Sequence, residues 1–447
     1  KVYEYNMKRG ACNRLIAWKK TENRKPLLMI GARQTGKTYL LKAFGASEFD
    51  VMHYFNFEED PTLREFFKDR VRPSEIIRNL SLYAGRPIRT DQDLIVFDEI
   101  QASNGALKSL KYFYEELPEL NIAAAGSLLG ITLSRPGSFP IGKVEFLHIY
   151  PMTFMEFLDA VGESEIRSYL EGIRKWEPFP EPIHRKLIDH LRTYYVTGGM
   201  PEAVSRYVKT LDLPGVRKIQ KDILLAYTLD FAKYANAPDI PKLSMVWEAI
   251  PGQLAKENKK FVFSNLKKSA RLRDFSNAIT WLEQSGLVIR SHRIKTARQP
   301  LRAYRETGIF KIYVLDVGLL GAMTDLDPAI MVKGELIFRQ FEGALVENYV
   351  AQQLKSHHDQ ELYYWQSAGT AEVDFVCEHA DLIIPLEAKA GINPKSKSLP
   401  SYIQKFEPGI AARTTLLNLK KESGLVNIPL YAISRFPGIC LGNPDLN

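Results

Sequence analysis

Gly31-Ala32-Arg33-Gln34-Thr35-Gly36-Lys37-Thr38 is the stretch on which the reading of this 447-residue chain turns. It has the spacing G-x-x-x-x-G-K-[ST], follows the apolar run Leu27-Leu28-Met29-Ile30 and precedes the helix-like Tyr39-Leu40-Leu41-Lys42-Ala43-Phe44. Strand, glycine-bounded loop and helix in that order describe a loop that cradles phosphates. Its backbone N–H groups must converge on a polyphosphate, a bend and close approach that glycine tolerates. Lys37 supplies a point charge for the β- and γ-phosphates, and the Thr38 hydroxyl is a hard oxygen ligand for Mg²⁺. The following helix adds its positive N-terminal end. Residues 31–38 are therefore expected to bind a nucleoside triphosphate with Mg²⁺.

A second half of the site lies about 60 residues on. Leu94-Ile95-Val96-Phe97 is a continuous apolar run, as in a strand buried on both faces, and it ends in Asp98-Glu99. Asp98 is placed to hold Mg²⁺, usually through water, and Glu99 to orient or deprotonate an attacking water. Alone, two acids after an apolar run describe a strand meeting solvent; the phosphate loop upstream reverses that preference. Asn121-Ile122-Ala123-Ala124-Ala125 leads into Gly126-Ser127. Ser127 reads either as a sensor of the γ-phosphate or as a simple turn serine.

Length suggests roughly three domains, each able to bury a core. Cys12, Cys377 and Cys440 are too few and scattered for a disulfide framework or a cysteine zinc site, which fits a reducing cytoplasm. No apolar stretch reaches membrane-spanning length, so no membrane partner is expected. The net charge is +8, but residues 256–305 hold 13 Lys/Arg against 3 Asp/Glu while the remainder is slightly acidic. The basic excess thus sits in one segment.

From Pro26 strands alternate with helices: Leu27–Ile30, Val51–Phe57, Leu94–Phe97, Ile122–Ala125 and Val144–Ile149. The alternation implies a parallel sheet covered on both faces, ending near Tyr150-Pro151, with a helix over Arg14–Lys20 packed against it. Residues 153–250 read as mostly helical, broken by Thr197-Gly198-Gly199-Met200-Pro201. The basic segment then runs helix, turn, helix over about Asp274–Ser285, and hairpin, the outline of a winged helix. Lys267, Lys268, Arg271, Arg273, Arg290, Arg293, Lys295 and Arg298 would contact DNA phosphates; a solvated surface that docks on protein is the alternative.

Residues 341–430 read as helix, three strands, helix, strand. Glu347 lies on the first helix, Asp374 on the second strand, and Glu387 and Lys389 share a face of the third. Two or three carboxylates beside a lysine could bind a second Mg²⁺ or Mn²⁺, with Lys389 stabilising an attacking hydroxide rather than acting as ligand. The ordinary alternative is the outward polar face of a sheet. The ordered set Glu347, Asp374, Glu387-Ala388-Lys389 resembles the PD-(D/E)xK nuclease superfamily.

Taken whole, the chain resembles the AAA+-type ATPases of bacteria and archaea whose C-terminal region is a conserved domain of unknown function. The resemblance rests on residues 31–38, Ile95–Gln101, Ala125-Gly126-Ser127, Tyr150–Phe157, Gly198-Gly199-Met200-Pro201 and Lys311–Leu319. It implies an α/β chain: an ASCE P-loop parallel sheet over residues 1–152, a helical region over 153–240, a winged-helix-like basic region over 241–325, and a nuclease-like α/β domain over 326–447. It also implies ATP as the nucleotide, with Lys37, Glu99 and Ser127 in catalysis and Thr38 and Asp98 on Mg²⁺. Members carry Gly-Arg before the Pro-x-x-Phe segment, where this chain has Gly142-Lys143; Arg135 is a candidate substitute. Two functions follow: an ATPase that moves a DNA-contacting and nuclease-like module, or an ATP-gated STAND-type switch that binds a protein partner. Homo-oligomers fit either.

Overall fold

The computed structural model describes residues 8–68, 72–127, 142–256, 259–329, 336–391 and 398–441. They form two compact units, one running to Tyr150 and one from Pro151 onward, with Gln284–Gly286 grouping with the first. Arg135 lies outside the described residues.

The first unit holds β1 (Leu27–Ile30), β2 (Val51–Asn56), β3 (Asp93–Asp98), β4 (Asn121–Gly126) and β5 (Glu145–His148), in the order β2-β3-β4-β1-β5. Every pairing is parallel. Crossover helices make this order possible, and period two then feeds two cores. Leu94 and Val96 pack with Leu15, Trp18, Leu40, Leu41 and Phe44 from α1 (Gly10–Lys20) and α2 (Lys37–Glu48). Ile95 and Phe97 pack on the other face with Ile76, Leu80, Leu107, Leu110 and Phe113 from α3 (Pro73–Ala84) and α4 (Asn104–Glu116). The expected doubly covered parallel sheet is present.

The second unit contains an eight-stranded mixed sheet. Its strands are β6 (Val288–Ile294), β7 (Arg305–Val314), β8 (Leu362–Gln366), β9 (Glu372–His379), β10 (Leu382–Ala388), β11 (Ala411–Thr415), β12 (Lys420–Glu422) and β13 (Leu425–Pro429). They run in the order β12-β13-β11-β10-β9-β8-β6-β7. The basic hairpin follows the helix Leu272–Gln284 but does not stand alone: β6 pairs antiparallel with β7 and also parallel with β8, from Ser291↔Leu362 to Ile294↔Trp365. The burial of Val288, Ile289, Ser291, His292 and Ile294 on both faces of the strand explains why, since such a strand needs a covered neighbour on each side. One face of the sheet carries Trp365 and Val373 under Leu399 and Tyr402 of the helix Ser398–Phe406. Asp374, the residue after Val373, points to the opposite face.

The glycine-rich break and several other motif residues meet inside this unit. Gly198 has φ +65°, and a Cβ on it would lie 2.1 Å from Asp316 Oδ1; a Cβ on Gly199 would lie 1.9 Å from the Met152 carbonyl oxygen. The Asp316 carboxylate accepts from Gly199 N (2.6 Å), Leu319 N (3.1 Å) and Gln352 (3.1 Å). Tyr194 donates to Met152 O and accepts from Gln352 and Gln353, while Gln353 accepts from Phe154 N. Four segments far apart in sequence are thereby joined by direct hydrogen bonds. Burial raises the Asp316 carboxyl to about 6. Among the described residues, no helix is long and apolar enough to cross a membrane.

Candidate functional site

The carboxyl ends of β1, β3 and β4 bring Lys37, Thr38, Asp98, Glu99 and Ser127 together. Gly36, at φ +93°, turns the loop into α2, a conformation an L side chain resists. Lys37 folds back over the loop and donates to the carbonyls of Gly31 and Ala32, each at 2.7 Å. Burial lowers its pKa to about 8, against the pull of Glu99 and Asp98. Arg9 braces the loop from outside, donating to Thr35 O (3.0 Å) and Tyr150 O (2.6 Å).

Thr38 Oγ1 donates to Asp98 Oδ2 at 2.7 Å, so the two groups expected on Mg²⁺ are in contact. The Tyr54 hydroxyl donates to the same oxygen at 2.7 Å, and Glu99 N donates to Oδ1 at 3.0 Å. A hydroxyl and an oriented carboxylate are suitable hard donors for a small dication that keeps most of its waters. Mg²⁺ held by Thr38 and Asp98 would supply positive charge to stabilise the negative charge that develops on a bound polyphosphate.

Glu99 stands in the left-handed region at φ +49°, ψ +42°, strain that costs about 1 kcal/mol or more in a non-glycine residue. Gln101 and Ser127 (3.2 Å) donate to its Oε2, and Arg33 Nε donates to Ser127 Oγ at 3.2 Å. The phosphate loop is thus wired through Ser127 to Glu99. Sequence reasoning missed Arg9, Tyr54 and Gln101. Tyr54 lay in a recognised strand, but only the β2–β3 pairing puts it beside Asp98. Lys143 is ion-paired with Glu115 at 3.1 Å.

On the C-terminal sheet, Glu387 follows Leu386, the partner of Phe375, and so stands opposite Asp374. Asp374 Oδ2 accepts from Ala388 N at 2.9 Å, and Lys389 lies 3.1 Å from Glu387. Glu347 reaches the cluster from the helix Leu336–His358. The expected second metal is not supported. The fully buried Lys311 ammonium lies 2.8 Å from Glu347, 2.6 Å from Glu372 and 3.7 Å from Asp374. Lys259 and the Tyr313 hydroxyl (2.5 Å) also donate to Glu347. Among the described residues, no group of three or more His, Cys, Asp or Glu is arranged to hold a metal ion. Burial opposes the charge of Lys311, but Glu347, Glu372 and Asp374 outweigh it and hold its pKa above the ordinary lysine value. Burial likewise disfavours ionised Glu347, yet Lys259 and Lys311 bring its pKa down to about 2. Asp374, buried and beside that charge, is pushed up to about 6.

The basic segment divides. Arg290 is bound to Glu283, and Arg293 and Lys295 to Glu306. Each is thus ion-paired within the chain, while the Lys295 side chain stays largely exposed. Lys267, Lys268, Arg271, Arg273 and Arg298 are exposed.

Residues 23–158 match the family described as AAA domain. Residues 188–329 and 342–433 match two domains of unknown function, DUF8612 and DUF4143. No curated protein matches the chain. Solved structures resembling it include the Walker-type ATPase PABY2304 of Pyrococcus abyssi (14% identity, 71% of this chain and 96% of that one, TM-score 0.45). The Aeropyrum pernix Orc1 protein in complex with DNA (14% identity, 70% and 91%, TM-score 0.29) and the Thermotoga maritima RuvB Holliday junction branch migration motor (15% identity, 69% and 91%, TM-score 0.29) are others. These likenesses assign no role to residues of this chain. The family match, the parallel five-stranded sheet and the loop that joins β1 to α2 agree: residues 23–158 are an AAA-type P-loop ATPase domain.

Proposed function

We propose that the protein hydrolyses ATP and uses the cycle to change how its second unit engages DNA. The observation that carries the reading is that Thr38 meets Asp98, that Glu99 N donates to the same Asp98 carboxylate, and that Ser127 links Glu99 to Arg33, all beside the loop over which Lys37 is folded. Lys37 turns from its two carbonyls to the β- and γ-phosphates. Thr38 and Asp98 would hold Mg²⁺. Glu99 takes a proton from the attacking water, and Ser127 transmits the state of the γ-phosphate side to Arg33.

DNA contact is assigned to Lys267, Lys268, Arg271 and Arg273, which are exposed at the start of the helix Leu272–Gln284. Multiple phosphate contacts make binding fall steeply with salt. The test is ATP turnover with and without DNA, together with DNA affinity across a salt series. Reversing Lys267, Lys268 and Arg271 to glutamate should weaken binding and flatten the salt slope; no change in either removes DNA from the reading. One observation favours the protein-partner switch. Leu225 and Leu229, four apart on the helix Leu213–Tyr234, are 59% and 62% exposed. Docking there would be insensitive to salt.

A further inference from the structure

We propose that the Lys311 ammonium is the resident cation of the carboxylate cluster on the C-terminal sheet, standing where a divalent metal would otherwise bind. This goes beyond the proposed ATPase function and does not depend on it.

Position is the first argument. Glu347 comes from a helix, Glu372 and Asp374 from β9, and Lys311 from β7, yet the three carboxylates meet at one buried nitrogen. Carboxylates drawn from separate elements to one point need a cation there, because like charges in a dry site repel strongly. Lys311 supplies it covalently, with three N–H donors for the surrounding oxygens. The Lys311 nitrogen also sits 4.9 Å from the Tyr364 ring centroid, a further favourable surrounding for positive charge.

The contacts that Glu347 and Asp374 already make are the second argument. Glu347 is engaged by Lys311 and Tyr313 at one oxygen and by Lys259 at the other. Asp374 Oδ2 is held by Ala388 N, and Glu387 Oε1 is paired with Lys389. A Mg²⁺ or Mn²⁺ ion must take oxygen ligands at roughly 2.1 Å. It would have to break these contacts and then sit beside a buried ammonium. The donor chemistry of the cluster fits the lysine and not the ion.

The experiment is Mn²⁺ uptake by the nucleotide-free, full-length protein, followed by the paramagnetic signal of free Mn²⁺. The parent should take up none at sub-millimolar concentrations. Lys311→Met should gain one site at least about tenfold tighter than anything in the parent, and adding Asp374→Asn should remove it. ATP binding at the P-loop, measured on the same samples, reports that the protein is folded and stands or falls separately. If Lys311→Met unfolds, Mn²⁺ should restore its helical circular dichroism and EDTA should reverse that. The proposal is overturned by parent uptake that Asp374→Asn abolishes. It is equally overturned by a folded Lys311→Met protein that takes up no ion, or by an unfolded one that Mn²⁺ does not rescue.

Discussion

Two buried lysines, one in each unit, have been given opposite surroundings. Lys37 rests on two neutral carbonyls, and burial has brought its pKa down to about 8. Lys311 rests on three carboxylates that hold its pKa above the ordinary lysine value, although burial opposes this. An underpaired charge gains most from an anion that arrives later. A fully paired charge gains nothing from a newcomer and acts as a structural pin. The difference separates a site prepared for a ligand from one already complete, although both have a lysine near the ends of buried strands.

The strongest way to break this contrast is to remove each lysine. Lys37→Ala should abolish measurable ATP binding by calorimetry with little effect on folding; affinity equal to the parent would reject the P-loop assignment. Lys311→Met should leave ATP binding intact but cost about 3–5 kcal/mol of stability in urea unfolding, the usual cost of orphaning a buried charge. The loss should be larger at pH 8 than at pH 5. Without the ammonium, Asp374, whose folded pKa of about 6 already lies above its unfolded value, is raised further, so more stability is lost as pH rises through it. A loss that does not depend on pH would mean that Lys311 acts through packing alone.

A smaller effect tests whether the prepared site is also catalytic. Glu99→Gln should bind ATP as the parent does and hydrolyse it at least about tenfold more slowly, since only the base is removed. Unchanged turnover would move that role elsewhere. Smallest is the pH response of the parent. With Lys37 at about 8 before ATP binds, affinity should fall by about tenfold between pH 7 and pH 9 as the free lysine loses its proton. A flat profile would show that Lys37 stays charged despite its burial.

The two sites were not equally legible. Residues 31–38 are contiguous, and each has a job that only a few residue types can do, so the loop could be read directly. Leu94–Phe97 announced its burial by an unbroken apolar run. At the second site Glu347, Asp374, Glu387 and Lys389 were found because helix and strand periods put them on facing surfaces. Lys311 was not, because it reaches them through the parallel pairing of β6 with β8, and no local pattern marks that long-range choice. The same pairing joins the basic hairpin to the larger sheet. Tyr54 and Arg9 were missed for a related reason: their partners are set by sheet order and chain path rather than by spacing.

The β6–β8 pairing also matters while the chain is being made. Ile294 leaves the ribosome about 70 residues before Trp365, the residue it must pair with. At about 5–20 residues per second the β6–β7 hairpin waits several seconds with one edge open. That open edge is a template for any other strand nearby, including the same hairpin on a neighbouring nascent chain. A pause in translation between the hairpin and β8 would lengthen the exposure, whereas a chaperone that covers β6 would shorten its effective life. Yield of this protein should therefore be governed less by the stability of its finished fold than by the timing with which β8 is delivered.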